Sequence, residues 1–183
     1  MNNSKTILKK LFAILNDSKI DYCIQNKYEN MPNKIPSDID IFYNSVTERH
    51  LDHIVQLIAD SCNLRIIQKT TMGYWGFVYM LNKISPKKGF QLQLDFQKDF
   101  SPRKYPNVFL GKPCLNRKRR LKHFYILSPQ DEIKLILIRR TIKKDFNNFY
   151  LDRIIRIYNQ NTTENFNNLK QILTEKTFKI LIK

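Results

Sequence analysis

Glycine is scarce, with four residues in a chain of 183. No Ser/Gly-rich or Pro-rich stretch offsets that scarcity, which argues against a flexible linker and against disorder. It also excludes the glycine-dependent phosphate loops: neither GxxxxGK[ST] nor GxGxxG occurs, and there is no HExxH pair. Cysteine is scarce too. Cys23, Cys62 and Cys114 are odd in number, far apart and outside any CxxC spacing, so they define neither a disulfide framework nor a zinc site. Long apolar runs are missing, since stretches such as LILI at 135–138 fall far short of the roughly 20 residues that span a bilayer. The polar start MNNS followed by KTILKK does not read as a secretory signal, and the expectation is a soluble, cytoplasmic protein.

Acidic residues are the last deficit: 16 Asp plus Glu stand against 32 Lys plus Arg, a formal charge of +16. Such a balance favours a polyanionic partner, whether nucleic acid, a nucleoside triphosphate or an anionic surface. Part of the excess also fits an AT-rich coding bias toward Lys, Asn and Ile. What remains is ordinary globular material. The chain is 42% hydrophobic, enough for one sizeable domain with a small appendage, and it carries no internal repeat.

Apolar spacing predicts a helix over 5–19, with Ile7, Leu8, Leu11, Phe12 and Leu15 on one face, then a short strand IDYCIQ over 20–25. A second helix is predicted over 47–61, with Thr47 as N-cap and Leu51, Ile54, Val55 and Ile58 buried. DIDIFY, LRIIQK (64–69), GYWGFVYML (73–81) and GFQLQLDFQ (89–97) read as strands. In SPQDEIKLILIRR, Ser128 at the N-cap, Pro129 at N1 and Asp131 at N3 mark a further helix start. Its residues Ile133, Leu135, Ile136 and Leu137 are candidate core.

Two of those strands carry acids where strands rarely do. In PSDIDIFY, Asp38 and Asp40 lie two apart and so share a face. That pattern fits either a solvent-facing edge or a site for a hard divalent cation. GFQLQLDFQ then puts Gln91, Gln93, Asp95 and Gln97 on one face and Leu92, Leu94 and Phe96 on the other. If the two strands pair with polar faces aligned, Asp38, Asp40 and Asp95 converge. A pair of metals about 3.5–4 Å apart is the usual clamp for phosphoryl transfer.

With these acids the chain resembles the nucleotidyltransferase superfamily, which includes DNA polymerase beta, antibiotic nucleotidyltransferases and small stand-alone bacterial members. That family shows a strand ending in Gly-Ser or Gly-Gly, a strand bearing Asp-x-Asp, and a later strand with one more acid. YCIQ, Asn26-Lys27, Asp38-Ile39-Asp40 and Asp95 in LQLDFQ follow the same order. YCIQNKYENMPNKIPSDIDIFY and LSPQDEIKLILIRRTIKKDFNNFYLDRI are similar to small nucleotidyltransferase-like proteins found among bacterial surface-polysaccharide genes, a likeness covering most of residues 20–155. The resemblance implies an α+β fold, a nucleotidyltransferase-like mixed sheet flanked by helices. It divides into a core over 1–127 and a helical C-terminal portion over 128–183 packed on it. It implies Mg2+ (or Mn2+) held by Asp38, Asp40 and Asp95. The reaction would move a nucleoside monophosphate from an NTP to a hydroxyl of tRNA or other RNA, protein or a sugar-type molecule. One departure stands out: Asn26-Lys27 replaces Gly-Ser. Lys27 can serve as a phosphate-binding point charge with Asn26 and Ser37 beside it, or the change can mark lost activity.

Lys143, Lys144 and Tyr150, past the capped helix, are nucleotide contacts by the same resemblance or merely a solvated helix end. Arg117, Lys118, Arg119, Arg120 and Lys122 form a basic loop, either solvated or a landing strip for a polyanion. Tyr74 and Trp75 are base-stacking candidates but fit a strand core better. His50 and His53 lack a third ligand and read as surface residues. The competing reading is a non-catalytic module of the same fold that holds RNA or another polyanion on its basic surface.

Overall fold

A computed structural model describes residues 3–83, 90–101 and 108–160, apart from the side chains of Asn3 and Tyr74. Residues 161–183 of the expected helical portion lie outside the described residues. Two units make up the chain, Met1–Ile126 and Leu127–Lys183.

In the first unit, helix α1 (Asn3–Asp17) buries the stripe Ile7, Leu8, Leu11, Phe12 and Leu15 that its sequence predicts. It ends two residues early, in a turn where Lys19 takes φ 53°. β1 (Asp21–Ile24) and β2 (Asp38–Asn44) pair antiparallel. α2 (Glu48–Ser61) starts where Thr47 Oγ1 accepts from the His50 amide, and it buries Leu51, Ile54, Val55 and Ile58. β3 (Leu64–Thr71), β4 (Gly76–Lys83) and β5 (Gln91–Gln97) follow as an antiparallel meander. The expected strand from Gly73 opens instead with a 3-10 turn over Gly73–Trp75. Trp75 is half-buried there, and the Tyr74 side chain lies outside the described residues.

β5 lies beside β2, parallel to it. The fold is α+β: a seven-stranded mixed sheet in the order β3-β4-β5-β2-β1-β9-β8, where β8 is Arg119–Leu121 and β9 is Phe124–Ile126. α1 and α2 share one core with Ile24, Ile39, Ile41, Tyr43, Leu94 and Phe96 of the sheet. Each such side chain contributes about 1.5–3 kcal/mol on burial. A one-residue slip of β2 would expose Ile39, Ile41 and Tyr43 and bury the acids, so the core fixes which face Asp38 and Asp40 occupy.

The segment expected as a basic loop is a structured one. β6 (Asp99–Phe100) pairs with β7 (Phe109–Leu110), and α3 (Gly111–Asn116) leads into the β8–β9 hairpin. Phe124 stacks on Phe12 at 4.4 Å and Tyr125 meets Tyr22 edge-on at 5.8 Å, so aromatic packing anchors the hairpin. Its turn has no Gly, Asn or Asp; Lys122 supplies the positive φ, 54°. α3 approaches the sheet closely at Gly111. A Cβ there would overlap the Lys98 carbonyl oxygen and sit 3.1 Å from the Phe42 ring, which stacks on Phe109 at 5.8 Å.

The second unit is described through α4 (Pro129–Lys143) and α5 (Asn148–Gln160). Ser128 caps α4 by accepting from the Asp131 amide, as its sequence predicts. Ile133, Ile136, Leu137, Ile154 and Ile157 pack together. In the same unit Arg153 Nη2 meets Glu132 Oε1 at 2.6 Å, both buried, so removing either leaves the other charge poorly compensated. Among the described residues, no helix is long and apolar enough to cross a membrane.

Back in the first unit, on the helix side of the sheet, Lys69 Nζ lies 2.5 Å from Glu48 and 2.8 Å from Asp52, whose carboxylate also accepts from the Tyr79 hydroxyl at 2.6 Å. Burial pushes the Asp52 carboxyl up, but hydrogen bonds from Lys69 and Tyr79 and the Lys69 charge outweigh it and lower the value. The stability Asp52 contributes is therefore present above its ordinary value of 3.8 and is lost as pH falls through the lower folded value. Asp52 is 44% exposed, so solvent screening holds the effect to about 1 kcal/mol or less. Urea midpoints of Asp52→Asn are expected to depend less on pH, as it falls below the ordinary value of 3.8, than those of the wild type. Gly111→Ala is expected to lose about 1–3 kcal/mol in the same assay, because backbone must shift to admit the methyl. An unchanged midpoint would mean that α3 can lift from the sheet at no cost.

Candidate functional site

Parallel pairing sets Asp40 directly opposite Asp95 and Asp38 opposite Gln93. Facing residues of neighbouring strands project to the same side, so the face that the core leaves over collects all three acids. One carboxylate oxygen of each lies within 4.8 Å of the others. Asp38 and Asp95 are half-buried and Asp40 is 2% exposed.

A buried carboxylate needs donors. Asp40 Oδ2 accepts from Asn26 Nδ2 at 2.8 Å and Oδ1 from Gln97 Nε2 at 3.2 Å, while Gln97 Oε1 accepts from Gln25 Nε2 at 3.3 Å. Asp95 Oδ1 accepts from Gln93 Nε2 at 2.8 Å. Asp38 Oδ1 accepts from the Ser37 hydroxyl and lies 2.5 Å from Lys27 Nζ, which also reaches Ser37 Oγ at 3.4 Å.

Antiparallel pairing explains why residues far apart in sequence meet here. Ile24 faces Ile41, and the Gln25 amide donates to the Asp40 carbonyl at 2.9 Å. The chain leaving β1 thus runs past the start of β2. Lys27 turns it with φ 55°, the left-handed region that glycine enters without cost.

The donor set suits a hard divalent cation: three carboxylates, each able to offer an oxygen. Oxygens on opposite sides of one Mg2+ are about 4.2 Å apart, twice the bond length. A spread of up to 4.8 Å accommodates either slight closure around one ion or two neighbouring ions. Asn26 Oδ1, buried with no hydrogen-bond partner among the described residues, leaves one more acceptor beside the acids.

The structure therefore gathers Asp38, Asp40, Asp95, Asn26, Lys27 and Ser37. Gln25, Gln93 and Gln97 join them without having been singled out from sequence, although Gln93 and Gln97 share the polar face of β5 and the strand alternation carried that signal. The basic run of the first unit lies on α3, β8 and the turn after it. Arg117 caps α3, Arg119 and Arg120 lie on β8, and Arg120 Nε donates to the Lys122 carbonyl at 3.4 Å. Lys118 pairs with Asp21 and stands 4.7 Å over the Tyr125 ring, so part of the basic run holds the fold together. In the second unit, Lys144 ends α4 at φ 55° and Lys143 is exposed in its last turn. The Tyr150 hydroxyl accepts from Arg140 Nη1 at 2.8 Å, with the guanidinium 4.3 Å over its ring.

No family model matches the chain, and a search of the curated proteins finds no match. Among solved structures, the chain is similar to a candidate nucleotidyltransferase from H. pylori, with TM-score 0.45 and 11% identity over 98% of this chain and 90% of that one. It is also similar to JHP933 from Helicobacter pylori, with TM-score 0.44 and 11% identity over 98% and 87% of the two chains.

Charge crowding and donor supply make opposite predictions at this site. Asp40→Asn removes a buried charge from the cluster and is expected to raise the melting temperature in chelator, by about 2–4 °C for each 1 kcal/mol of relieved repulsion. Asn26→Ala withdraws a donor from the same carboxylate and is expected to cost about 1.5–3 kcal/mol. If both variants melt below the wild type, the acids do not repel one another appreciably.

Proposed function

We propose that the protein is a metal-dependent nucleotidyltransferase that moves a nucleoside monophosphate from an NTP to a hydroxyl acceptor and releases pyrophosphate. The observation that carries this reading is the convergence of Asp38, Asp40 and Asp95 on one face of two parallel strands. A sheet edge bathed in solvent would not surround a nearly inaccessible Asp40 with oriented amides. Nor would it leave a buried Asn26 oxygen beside it.

In this reading Asp38 and Asp40 hold Mg2+ (or Mn2+), and Asp95 completes the ligand set. A cation held by these acids would supply the positive charge that offsets the triphosphate and the attacking oxygen. The residues divide the remaining work. Asp95 lies on the strand next to the Asp38–Asp40 pair and orients the acceptor hydroxyl or takes its proton. That oxygen bonds to the α-phosphorus as the α–β bridging P–O bond breaks, and the electron pair leaves with pyrophosphate. Gln97 and Asn26 keep Asp40 from turning away. Gln93 does the same for Asp95, and Lys27 contacts phosphate oxygens.

Each NTP, labelled at the α-phosphate, can be incubated with Mg2+ and total cell extract to find which fraction acquires label. Asp40→Asn and Asp95→Asn are expected to lower transfer at least 100-fold, about 2.7 kcal/mol of transition-state stabilisation. Undiminished labelling by either variant, or a wild type that neither transfers label nor shifts its melting temperature with Mg2+ and NTP, would favour the non-catalytic polyanion-binding reading.

A further inference from the structure

Lys27 stands out in this cluster for two independent reasons. Its backbone takes φ 55°, a conformation that strains a side-chain-bearing residue and costs glycine almost nothing. Its side chain is 46% exposed, and its ammonium lies 2.5 Å from Oδ1 of Asp38, the more exposed of the two acids on β2. Asp40 and Asp95 receive neutral amide donors from Asn26, Gln97 and Gln93. Amides can stay in place when a cation binds the other lone pairs of those oxygens. An ammonium 2.5 Å from a ligand oxygen cannot, because like charges at that spacing repel.

We infer that Lys27 is a tethered counter-ion that couples cation binding to phosphate binding. This inference rests on the proposed metal site. Without ligands, Lys27 neutralises Asp38 and competes with a divalent cation for its carboxylate. When cation and polyphosphate arrive together, the ammonium leaves Asp38 Oδ1 for a phosphate oxygen, and the flexible four-carbon stem permits the swing. The cation alone therefore binds weakly, polyphosphate alone finds Lys27 already engaged, and each strengthens the other by the same factor. The stem ends beside Ser37 and Asp38, where Nζ makes its two contacts.

The test uses Mn2+, followed by the electron paramagnetic resonance of the free ion, with inorganic tripolyphosphate as a base-independent probe. Lys27→Met keeps the stem and removes the charge. It is expected to bind Mn2+ alone about fivefold more tightly than the wild type, which corresponds to about 1 kcal/mol for a partly exposed pair. At saturating Mn2+ it is expected to bind tripolyphosphate about fivefold more weakly. Opposite signs identify the counter-ion, whereas a merely structural lysine would weaken both. Equal or weaker Mn2+ binding by Lys27→Met overturns the counter-ion role while leaving the metal site standing. Mn2+ binding that is absent throughout, or unchanged in Asp40→Asn, overturns the metal site and this inference with it. If Lys27→Met does not fold, Lys27→Gln carries the same comparison.

Discussion

Parallel pairing of β2 with β5 is the constraint on which the site depends. It brings together strands separated in sequence by α2 and the β3–β4 hairpin, in a register that sets Asp40 opposite Asp95. The register is held from the other side of the sheet. Ile39, Ile41, Leu94 and Phe96 alternate with the polar positions and are fully buried under α1 and α2. Several buried side chains at about 1.5–3 kcal/mol each outweigh the repulsion among three carboxylates of which two, Asp38 and Asp95, are half-solvated, so the core decides and the acids follow. Shifting either strand by one residue would undo both faces together.

The acids then have to be accommodated. Amides are suited to this because they donate to a carboxylate without cancelling the charge a cation would recognise. Three surround Asp40 and Asp95, and Gln25 orients one of them through Gln97. Polar side chains this well connected hold their rotamers, and a metal centre needs ligands fixed in that way. The far end of the same face is closed by different means: Phe42, two residues beyond Asp40, lies under Phe109 and the close contact at Gly111. Acid-bearing sheet thus gives way to packed sheet within a single strand.

How far this could be read from the sequence follows from the range of each signal. Strand alternation and helix capping are local, so the β2 and β5 faces, Thr47 and Ser128 were legible, as was the α+β class. Convergence of the acids required a pairing that no local pattern states; it was legible only as a condition on two strands aligning. The β8–β9 hairpin was missed because Lys122 makes a turn normally signalled by Gly, Asn or Asp, and because five basic residues nearby resemble a solvated loop. What makes that hairpin a structure is Phe124 on Phe12 and Tyr125 on Tyr22, contacts spanning about a hundred residues of sequence. The Lys118–Asp21 pair was illegible on the same ground, its partners being equally distant in sequence. The Glu132–Arg153 pair of the second unit belongs to this class too, since neither residue interrupts its helix's pattern enough to announce a buried charge.

At Asn26-Lys27 the local rule and the structure disagree. Where backbone must enter the left-handed region beside phosphates, glycine is the economical residue: it removes the strain and lets amides approach. This chain, poor in glycine throughout, accepts the strain and places an ammonium within reach of the acid cluster instead. Amides are fixed donors with partial charge; an ammonium on a long stem carries full charge and can move between partners. One arrangement supplies a preformed phosphate cradle, and the other supplies a charge held against a carboxylate. A residue that costs backbone energy and sits on the acids themselves is hard to explain as drift toward lysine, because drift gives no reason for its ammonium to settle on Asp38.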